Sequence, residues 1–325
     1  MNFIEEAKEK ALQGIPLARD EIIRLLEISL NSDDDKRLRN VAYEVAMKKS
    51  NGNGYIWSAI GADYAPCLMN CKFCSFGKKW NIVKKSVHYN SKQIVEKAKY
   101  FVENNAKYVV LRTTEFYSIP KLIELVKEIR HEIVGDYEII FNTGELDMTI
   151  SNLMLESGVN GVYHACRLRE GIDTPFDPWD RKNTMNNVRR SGLKLISLVE
   201  PIGIEHTNEE IADNFLEIIK YETVISGAMA RIPVPGTPLG NIDKISDSRI
   251  AQIIAVLRLA GGNVVKDICV HPATYEALSS GANVIVVETG AIPRDVNYEY
   301  NSWHGLNMVK ANSLLEEAGY KVSNK

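Results

Sequence analysis

The stretch Tyr55-Ile-Trp-Ser-Ala-Ile60 is a short apolar run that directly follows Ser50-Asn-Gly-Asn-Gly54. Glycine and asparagine break regular structure, so the run begins at a clear boundary. Its length and its content of Ile, Tyr and Trp are typical of a strand buried in a parallel sheet. Seven comparable runs follow along the chain, at Tyr108–Arg112, Glu138–Phe141, Gly161–Ala165, Leu193–Val199, Ala228–Val234, Val264–Val270 and Val284–Val287.

Amphipathic helical patterns lie between these runs. Eight strands that alternate with helices predict an α/β protein whose fold is a (β/α)8 barrel of the TIM type. An open doubly wound sheet is the alternative, but the chain shows no glycine-rich dinucleotide turn. The main helical patterns are Ser91–Asn104, Pro120–Arg130, Asp177–Arg190, Asn208–Tyr221, Ser246–Leu259 and Gly305–Ala318.

The first fifty residues are also predicted to be helical. Candidate helices are Asn2–Gln13, Arg19–Leu30 and Asp35–Lys48, the last of which follows an acidic run that suits a helix N-terminus. We therefore expect an N-terminal helical extension at residues 1–50 and the barrel at residues 51–325.

The charge pattern excludes some classes of partner. The 325 residues carry a net charge of −3, without the basic footprint of a nucleic-acid-binding protein. The densest basic pairs, Lys78-Lys79 and Lys84-Lys85, are interpreted as solvated surface. No apolar run reaches the roughly 18 residues of a membrane span, and the N-terminal residues do not form an apolar leader. We expect a cytoplasmic protein that binds neither nucleic acid nor membrane.

Three of the five cysteines lie within eight residues, in Cys67-Leu-Met-Asn-Cys71-Lys-Phe-Cys74. In a reducing cytosol such cysteines serve metals or catalysis more often than disulfides. Three thiolates can hold three irons of a cubane cluster and leave the fourth iron open for a small molecule. A structural zinc site would need four closed ligands, and the nearest histidine, His88, lies outside the run. The loop after the first strand is also where a barrel builds its active site.

This spacing, with Phe73 before the third cysteine, resembles the signature of the radical S-adenosylmethionine (SAM) superfamily, and the chain is similar to its biotin synthase-like class. The resemblance implies a [4Fe–4S] cluster on Cys67, Cys71 and Cys74, with SAM on the open iron. It also implies a 5′-deoxyadenosyl radical that abstracts hydrogen from a small substrate, and an electron donor such as ferredoxin or flavodoxin.

Further motifs follow in the order of the class. Thr113-Thr114-Glu115 resembles the turn that holds the SAM amino group, although two threonines replace glycines. Arg181 resembles an arginine that pairs with the SAM carboxylate, a role that suits a planar guanidinium. Two later motifs resemble backbone and apolar contacts to SAM, and their candidate residues are Glu200, Gly203, Ile232 and Pro235.

The remaining cysteines, Cys166 and Cys269, depart from biotin synthase itself, which holds a second cluster on three further cysteines. Both are expected near the top of the barrel and facing its cavity, as catalytic residues. They would serve as ligands of an auxiliary cluster, with His164 or His271 assisting, or as a hydrogen donor. The alternative interpretation is a pair of buried small hydrophobic residues.

Several functions stay open at this point. The first is a radical SAM enzyme of cofactor or amino-acid biosynthesis, including a sulfur-inserting version. A non-catalytic iron–sulfur scaffold or carrier is the second, and a zinc-dependent barrel hydrolase is the third. Polar residues that follow the second, third and fourth strands are candidate substrate contacts, namely Tyr117, Glu145, Asp147 and Arg167.

Overall fold

A computed structural model describes residues 3–294 and 305–322, and within them eight parallel strands close into a barrel. The last strand pairs with the first in parallel, from Tyr55 opposite Val284 to Gly61 opposite Gly290. The (β/α)8 prediction is therefore confirmed. The strands are β1 Asn53–Gly61, β2 Ala106–Arg112, β3 Glu138–Asn142, β4 Gly161–Tyr163, β5 in two segments (Lys194–Ile196 and Val199–Ile202), β6 Ile225–Ala230, β7 Asp267–His271 and β8 Val284–Gly290.

A helix follows each strand on the outside of the barrel. Three helices precede β1, and all three pack against the helix that follows β6. That helix is buried on every face, because the barrel covers one side of it and these helices cover the other. The helices are α1 Phe3–Gln13, α2 Arg19–Leu26, α3 Asp33–Lys49, α4 Ser91–Glu103, α5 Ile119–Glu132, α6 Met148–Glu156, α7 Pro178–Ser191, α8 Asn208–Lys220, α9 Asp247–Ala260, α10 Tyr275–Leu278 and α11 Met308–Glu317.

The alternation of side chains along each strand produces two apolar layers. Ile56, Val109 and Phe141 belong to a layer that also includes residues of the helices. Trp57, Tyr108 and Ile140 belong to a second cluster, formed by the inward-facing residues of the strands. These side chains fill the lower part of the barrel, so ligand space remains only at the carboxyl ends of the strands.

Two strands differ most from the sequence prediction. The fifth run is interrupted, and its second segment shifts register against β6 where Pro201 offers no N–H. The sixth strand ends at Ala230 rather than Val234, because Pro233 and Pro235 cannot donate to a ladder. A membrane-spanning helix, long and apolar enough to cross a bilayer, does not occur among the described residues.

Candidate active site

A cavity of about 220 Å³ opens at the carboxyl ends of the barrel strands. All eight strands contribute a residue from within or just beyond their carboxyl half, as expected for a barrel whose loops build the site. The lining combines the cysteine loop with apolar and charged side chains. It includes Trp57, Cys67, Cys71, Phe73, Cys74, Arg112, Thr113, Thr114, Glu115, Tyr163, Arg167, Glu200, Ile232, His271, Glu288 and Arg294.

Backbone hydrogen bonds shape the cysteine loop. The Cys67 N–H donates to the Phe76 carbonyl over 2.6 Å, and the Lys78 N–H donates back to the Cys67 carbonyl over 2.9 Å. The Cys74 N–H donates to the Cys71 carbonyl over 3.0 Å. These bonds fold the loop on itself, so all three sulfur-bearing side chains line the same cavity. None of the three thiols forms a disulfide.

Burial controls the protonation of these thiols. It raises the pKa of Cys71 to about 12 and that of Cys74 to about 11, so both are neutral thiols at pH 7 without a bound metal. No three Cys, His, Asp or Glu side chains of the described residues converge where a single metal ion could be held. A cubane instead takes one thiolate on each iron. Three thiols in one cavity fit such a cluster, which would supply the positive charge that favours the thiolates.

Asp63 fastens the turn that follows β2. Its Oδ1 accepts the Thr114 N–H over 2.8 Å, and its Oδ2 accepts a short hydrogen bond from the Thr114 hydroxyl. The Thr113 hydroxyl donates to Thr143 over 3.0 Å. Two threonines can therefore occupy a turn where the class has glycines, because their side chains anchor it. Glu115 lines the cavity, and burial raises its pKa against the opposing effect of Arg181.

Arg167 follows β4 and lines the cavity. Its guanidinium is 3.6 Å from Glu200 and 3.7 Å from Glu170, and its Nη1 has no hydrogen-bond partner. Burial would lower the pKa of Arg167, but these two carboxylates outweigh burial and raise it. Tyr163 donates a short hydrogen bond to Glu200, whose own pKa burial raises. Arg167 is thus a cation with an unused donor beside the cavity.

Arg181 is not among the residues that line the cavity. Its Nη1 is 3.0 Å from the Glu145 carboxylate, its Nε is 3.8 Å from Glu170, and its guanidinium stacks 3.7 Å from the Phe176 ring centre. His164, predicted as a possible cluster ligand, is 3.2 Å from Glu145 in the same group. Like Arg167 Nη1, Arg181 Nε is buried without a hydrogen-bond partner, but only Arg167 of the two arginines lines the cavity.

A second charged group closes the β7–β8 side of the cavity. Glu288 is 2.8 Å from Arg112 and forms a short ion pair with Arg294, which also donates to His271 Nε2. Burial lowers the pKa of His271. In the tautomer that accepts from Arg294 the proton is on Nδ1, and Nε2 also lies 3.2 Å from the Glu288 carboxylate. His271 Nδ1 and the Trp57 indole Nε1 are buried and have no hydrogen-bond partner. Both residues line the cavity and offer donors to a ligand.

The structure places only some of the later predicted SAM contacts in the cavity lining. Ile232 lines the cavity, whereas Gly203 and Pro235 lie outside its lining. The Gly203 N–H donates to His206 Nδ1 over 2.9 Å. The turn after Pro235 is fastened to the cysteine loop, because the Leu239 N–H donates to the Lys72 carbonyl over 3.0 Å.

The two single cysteines are not brought together. Cys166 packs in the outer layer, where Asn214 of α8 donates to its carbonyl over 2.8 Å. Cys269 packs in the inner cluster, fully buried against β6, where a Cβ on Gly227 would lie 1.8 Å from its carbonyl oxygen. Burial raises the pKa of both thiols. Neither residue is part of the cavity lining, and their predicted catalytic role stays a prediction.

Sequence reasoning missed several lining residues. Arg112 and Glu288 lie at the carboxyl ends of β2 and β8, a position that could have identified them. Of the four candidate substrate contacts, only Arg167 lines the cavity. Asp147 instead caps α6 by accepting the Ile150 N–H over 2.8 Å.

Comparison with proteins of known function gives consistent relatives. The chain is 22% identical over 350 residues to a biotin synthase of Brachyspira hyodysenteriae, covering 99% of this chain and 96% of that protein. It is 23% identical over 334 residues to a biotin synthase of Nitrosopumilus maritimus, covering 99% and 98%. No family model matches the chain.

Solved structures agree on the fold. Methylornithine synthase (PylB) superimposes with a TM-score of 0.81 at 17% identity, covering 98% of this chain and 97% of that one. The [FeFe]-hydrogenase maturase HydG superimposes with a TM-score of 0.79 at 14% identity, covering 98% and 74%.

Proposed function

We propose that this chain, which belongs to the biotin synthase-like class of radical SAM enzymes, forms a 5′-deoxyadenosyl radical and abstracts hydrogen from a small molecule in cofactor or amino-acid biosynthesis. One observation carries the proposal. The three thiols of the cysteine loop line the same cavity as Glu115, Arg167 and Ile232, which are suited to an amine, a carboxylate and an aromatic base.

Cys67, Cys71 and Cys74 would hold a [4Fe–4S] cluster with one iron open. When bound, the cluster supplies the electron that cleaves SAM into methionine and the 5′-deoxyadenosyl radical. The chain positions the reactants and keeps water and other hydrogen donors away. The buried rings of Trp57 and Tyr163, 5.1 Å apart in an edge-to-face contact, close the cavity from below.

The methionyl part of SAM would be held between two charged residues. Glu115 would accept the ammonium group, with the Thr113–Thr114 backbone alongside. Arg167 would take the carboxylate through its unused Nη1, because a charged donor beside a cavity is best satisfied by an anion. Arg181, assigned from sequence to this carboxylate, would act on the same site through Glu170 and Glu115. Ile232 would contact the adenine.

The substrate would occupy the β7–β8 side of the cavity. His271 Nδ1 and Trp57 Nε1 are buried donors without partners, and leaving such groups unpaired costs about 1–3 kcal/mol each. A ligand with oxygen acceptors, such as a carboxylate or carbonyl group, would satisfy both.

The alternatives have less support. A sulfur-inserting version needs an auxiliary cluster, but Cys166 and Cys269 lie in different apolar layers. A cluster scaffold has no need of the charged residues that line the cavity beyond the cysteines.

The test is anaerobic reconstitution with iron and sulfide, followed by iron counting and by SAM cleavage with dithionite. We expect about four irons per chain, together with 5′-deoxyadenosine and methionine. A chain that binds the cluster but releases neither product would support the scaffold, and about twice that iron would support the sulfur-inserting version.

A further inference from the structure

The segment between Tyr64 and Val95 has an unusual charge balance. It contains six lysines and neither aspartate nor glutamate, although the whole chain has a net charge of −3. The three cysteines of the cavity lie within it. Sequence alone favoured plain solvated surface for its lysine pairs, but their position relative to the cysteine loop changes that interpretation.

Four of these lysines form a basic face beside the cysteine loop. Lys78 and Lys79 begin a short 3-10 turn, Lys78–Trp80, four residues after Cys74, and Lys84 and Lys85 follow it. All four residues are exposed. Within residues 3–294 and 305–322, none of the four is in an ion pair. Their charges are therefore available to a partner.

Trp80 connects this basic face to the cysteines. Its indole Nε1 donates to the Cys71 carbonyl over 3.2 Å, and the ring covers Gly77, where an added Cβ would lie 2.2 Å from Nε1. The Lys79 N–H donates to the Asn70 side chain over 2.8 Å. The turn is thus fastened to the cysteine loop, with an aromatic ring between the exposed lysines and Cys71.

We propose that Lys78, Lys79, Lys84 and Lys85, with Trp80 at their inner edge, are the docking surface for an acidic one-electron carrier protein. This inference rests on the proposed function. The carrier loses one electron and the cluster held by the cysteines gains it. An acidic protein is repelled by the net negative charge of the chain elsewhere and is attracted to this face, which steers it to the cysteines.

The experiment compares two charge-reversal double variants, Lys78→Glu/Lys79→Glu and Lys84→Glu/Lys85→Glu, with the control Lys48→Glu/Lys99→Glu. The control lysines are exposed and lie in α3 and α4 near the helix ends that lead into β1 and β2, at the opposite end of the barrel. The probe is an acidic flavodoxin. The Kd for flavodoxin and the rate of cluster reduction by its hydroquinone are measured on reconstituted protein at low and high salt.

We expect each charge-reversal variant to raise the Kd and slow cluster reduction by about tenfold or more at low salt, with a smaller effect at high salt. SAM cleavage with dithionite, which needs no docking, should stay within about twofold of the parent. The neutral variant Lys78→Gln/Lys79→Gln should have a Kd and a reduction rate between those of Lys78→Glu/Lys79→Glu and those of the parent. If reversal impairs folding, this variant still provides the comparison of Kd values.

Equal Kd values and reduction rates in the charge-reversal and control variants would overturn the proposal. So would lysine-dependent binding of a single-stranded oligonucleotide at physiological salt without binding of flavodoxin. A parent protein that docks flavodoxin through these lysines but does not cleave SAM with dithionite would refute the proposed function and leave the docking surface intact.

Discussion

The cysteine loop, residues 62–80, and the segment 164–181 both form walls of the cavity, but different forces hold them. Backbone hydrogen bonds hold the loop, and its three thiols are left to a ligand. The second segment is held by a ladder of charges in which the buried Glu170 and Arg181 pair with Arg167 and with the more exposed Glu145. A side chain near the cavity is therefore a ligand candidate only when its own neighbours leave it a free donor or acceptor.

The largest effect should follow from removing the thiols. In Cys67→Ala/Cys71→Ala/Cys74→Ala the cluster should be lost completely, because a cubane without its thiolates is not held. The fold should persist, since backbone atoms make the bonds of the loop. Iron content, visible absorption and circular dichroism check this. A full [4Fe–4S] spectrum in the triple variant would refute the proposed ligands.

Arg181→Ala should destabilise the charge ladder. It takes from the buried Glu170 one of its two cations and leaves only Arg167, and removing a partner from a buried ion pair costs up to about 3–5 kcal/mol. Chemical denaturation measures this free energy of unfolding. Arg189 lies on the same helix as Arg181 and forms an exposed ion pair with Glu222. The matched variant Arg189→Ala removes this pair and should cost less than about 1 kcal/mol. Equal losses would show that the ladder does not hold the segment.

Arg167→Ala should act mainly on SAM binding. Loss of a charge-assisted hydrogen bond to the carboxylate is worth about 1.5–3 kcal/mol, or roughly 10- to 150-fold in Kd. Arg181→Ala should weaken SAM binding less than this, and neither change should remove the iron. Equilibrium binding to the reconstituted variants distinguishes the two arginines. A larger loss of affinity for Arg181→Ala would return the carboxylate to the residue that the sequence predicted.

The double variant Cys166→Ser/Cys269→Ser tests whether the two single cysteines only pack in apolar layers or also take part in the reaction. If these thiols belong to apolar layers, iron should stay near four per chain and product formation should persist. Burying two hydroxyls should lower stability by about 1–3 kcal/mol each. Loss of iron or of product formation without unfolding would restore their predicted catalytic role.

A further effect concerns pH. Burial lowers the pKa of His164 to about 4, against an ordinary value of 6.5. Between these values the unfolded chain binds a proton that the folded chain does not, so stability should fall as the pH drops from about 6.5 to about 4. His164→Gln should remove this part of the loss. Urea midpoints across the range check it, and parallel pH profiles of parent and variant would contradict it.

The barrel could be predicted from the sequence because each buried parallel strand is a short apolar run between turn residues. The ends of β5 and β6 could not be predicted. They depend on prolines that interrupt the hydrogen-bond ladder only in the register that these two strands adopt. The cysteine loop was predictable from local spacing. The position of Arg167 in the cavity lining, with Arg181 outside it, was not predictable, because it depends on contacts with other strands that have no local sequence pattern.

The hydrogen bonds of the cysteine loop also set an order of events during synthesis. The Ser75 N–H donates to the Pro293 carbonyl over 2.6 Å, and the Leu239 N–H donates to the Lys72 carbonyl. These partners leave the ribosome long after the cysteines do, and such non-local contacts form late. The loop therefore reaches its final shape only when nearly the whole barrel has been synthesised. A nascent chain exposes three thiols before it can shelter them, so a cluster on these thiols would be completed only after translation.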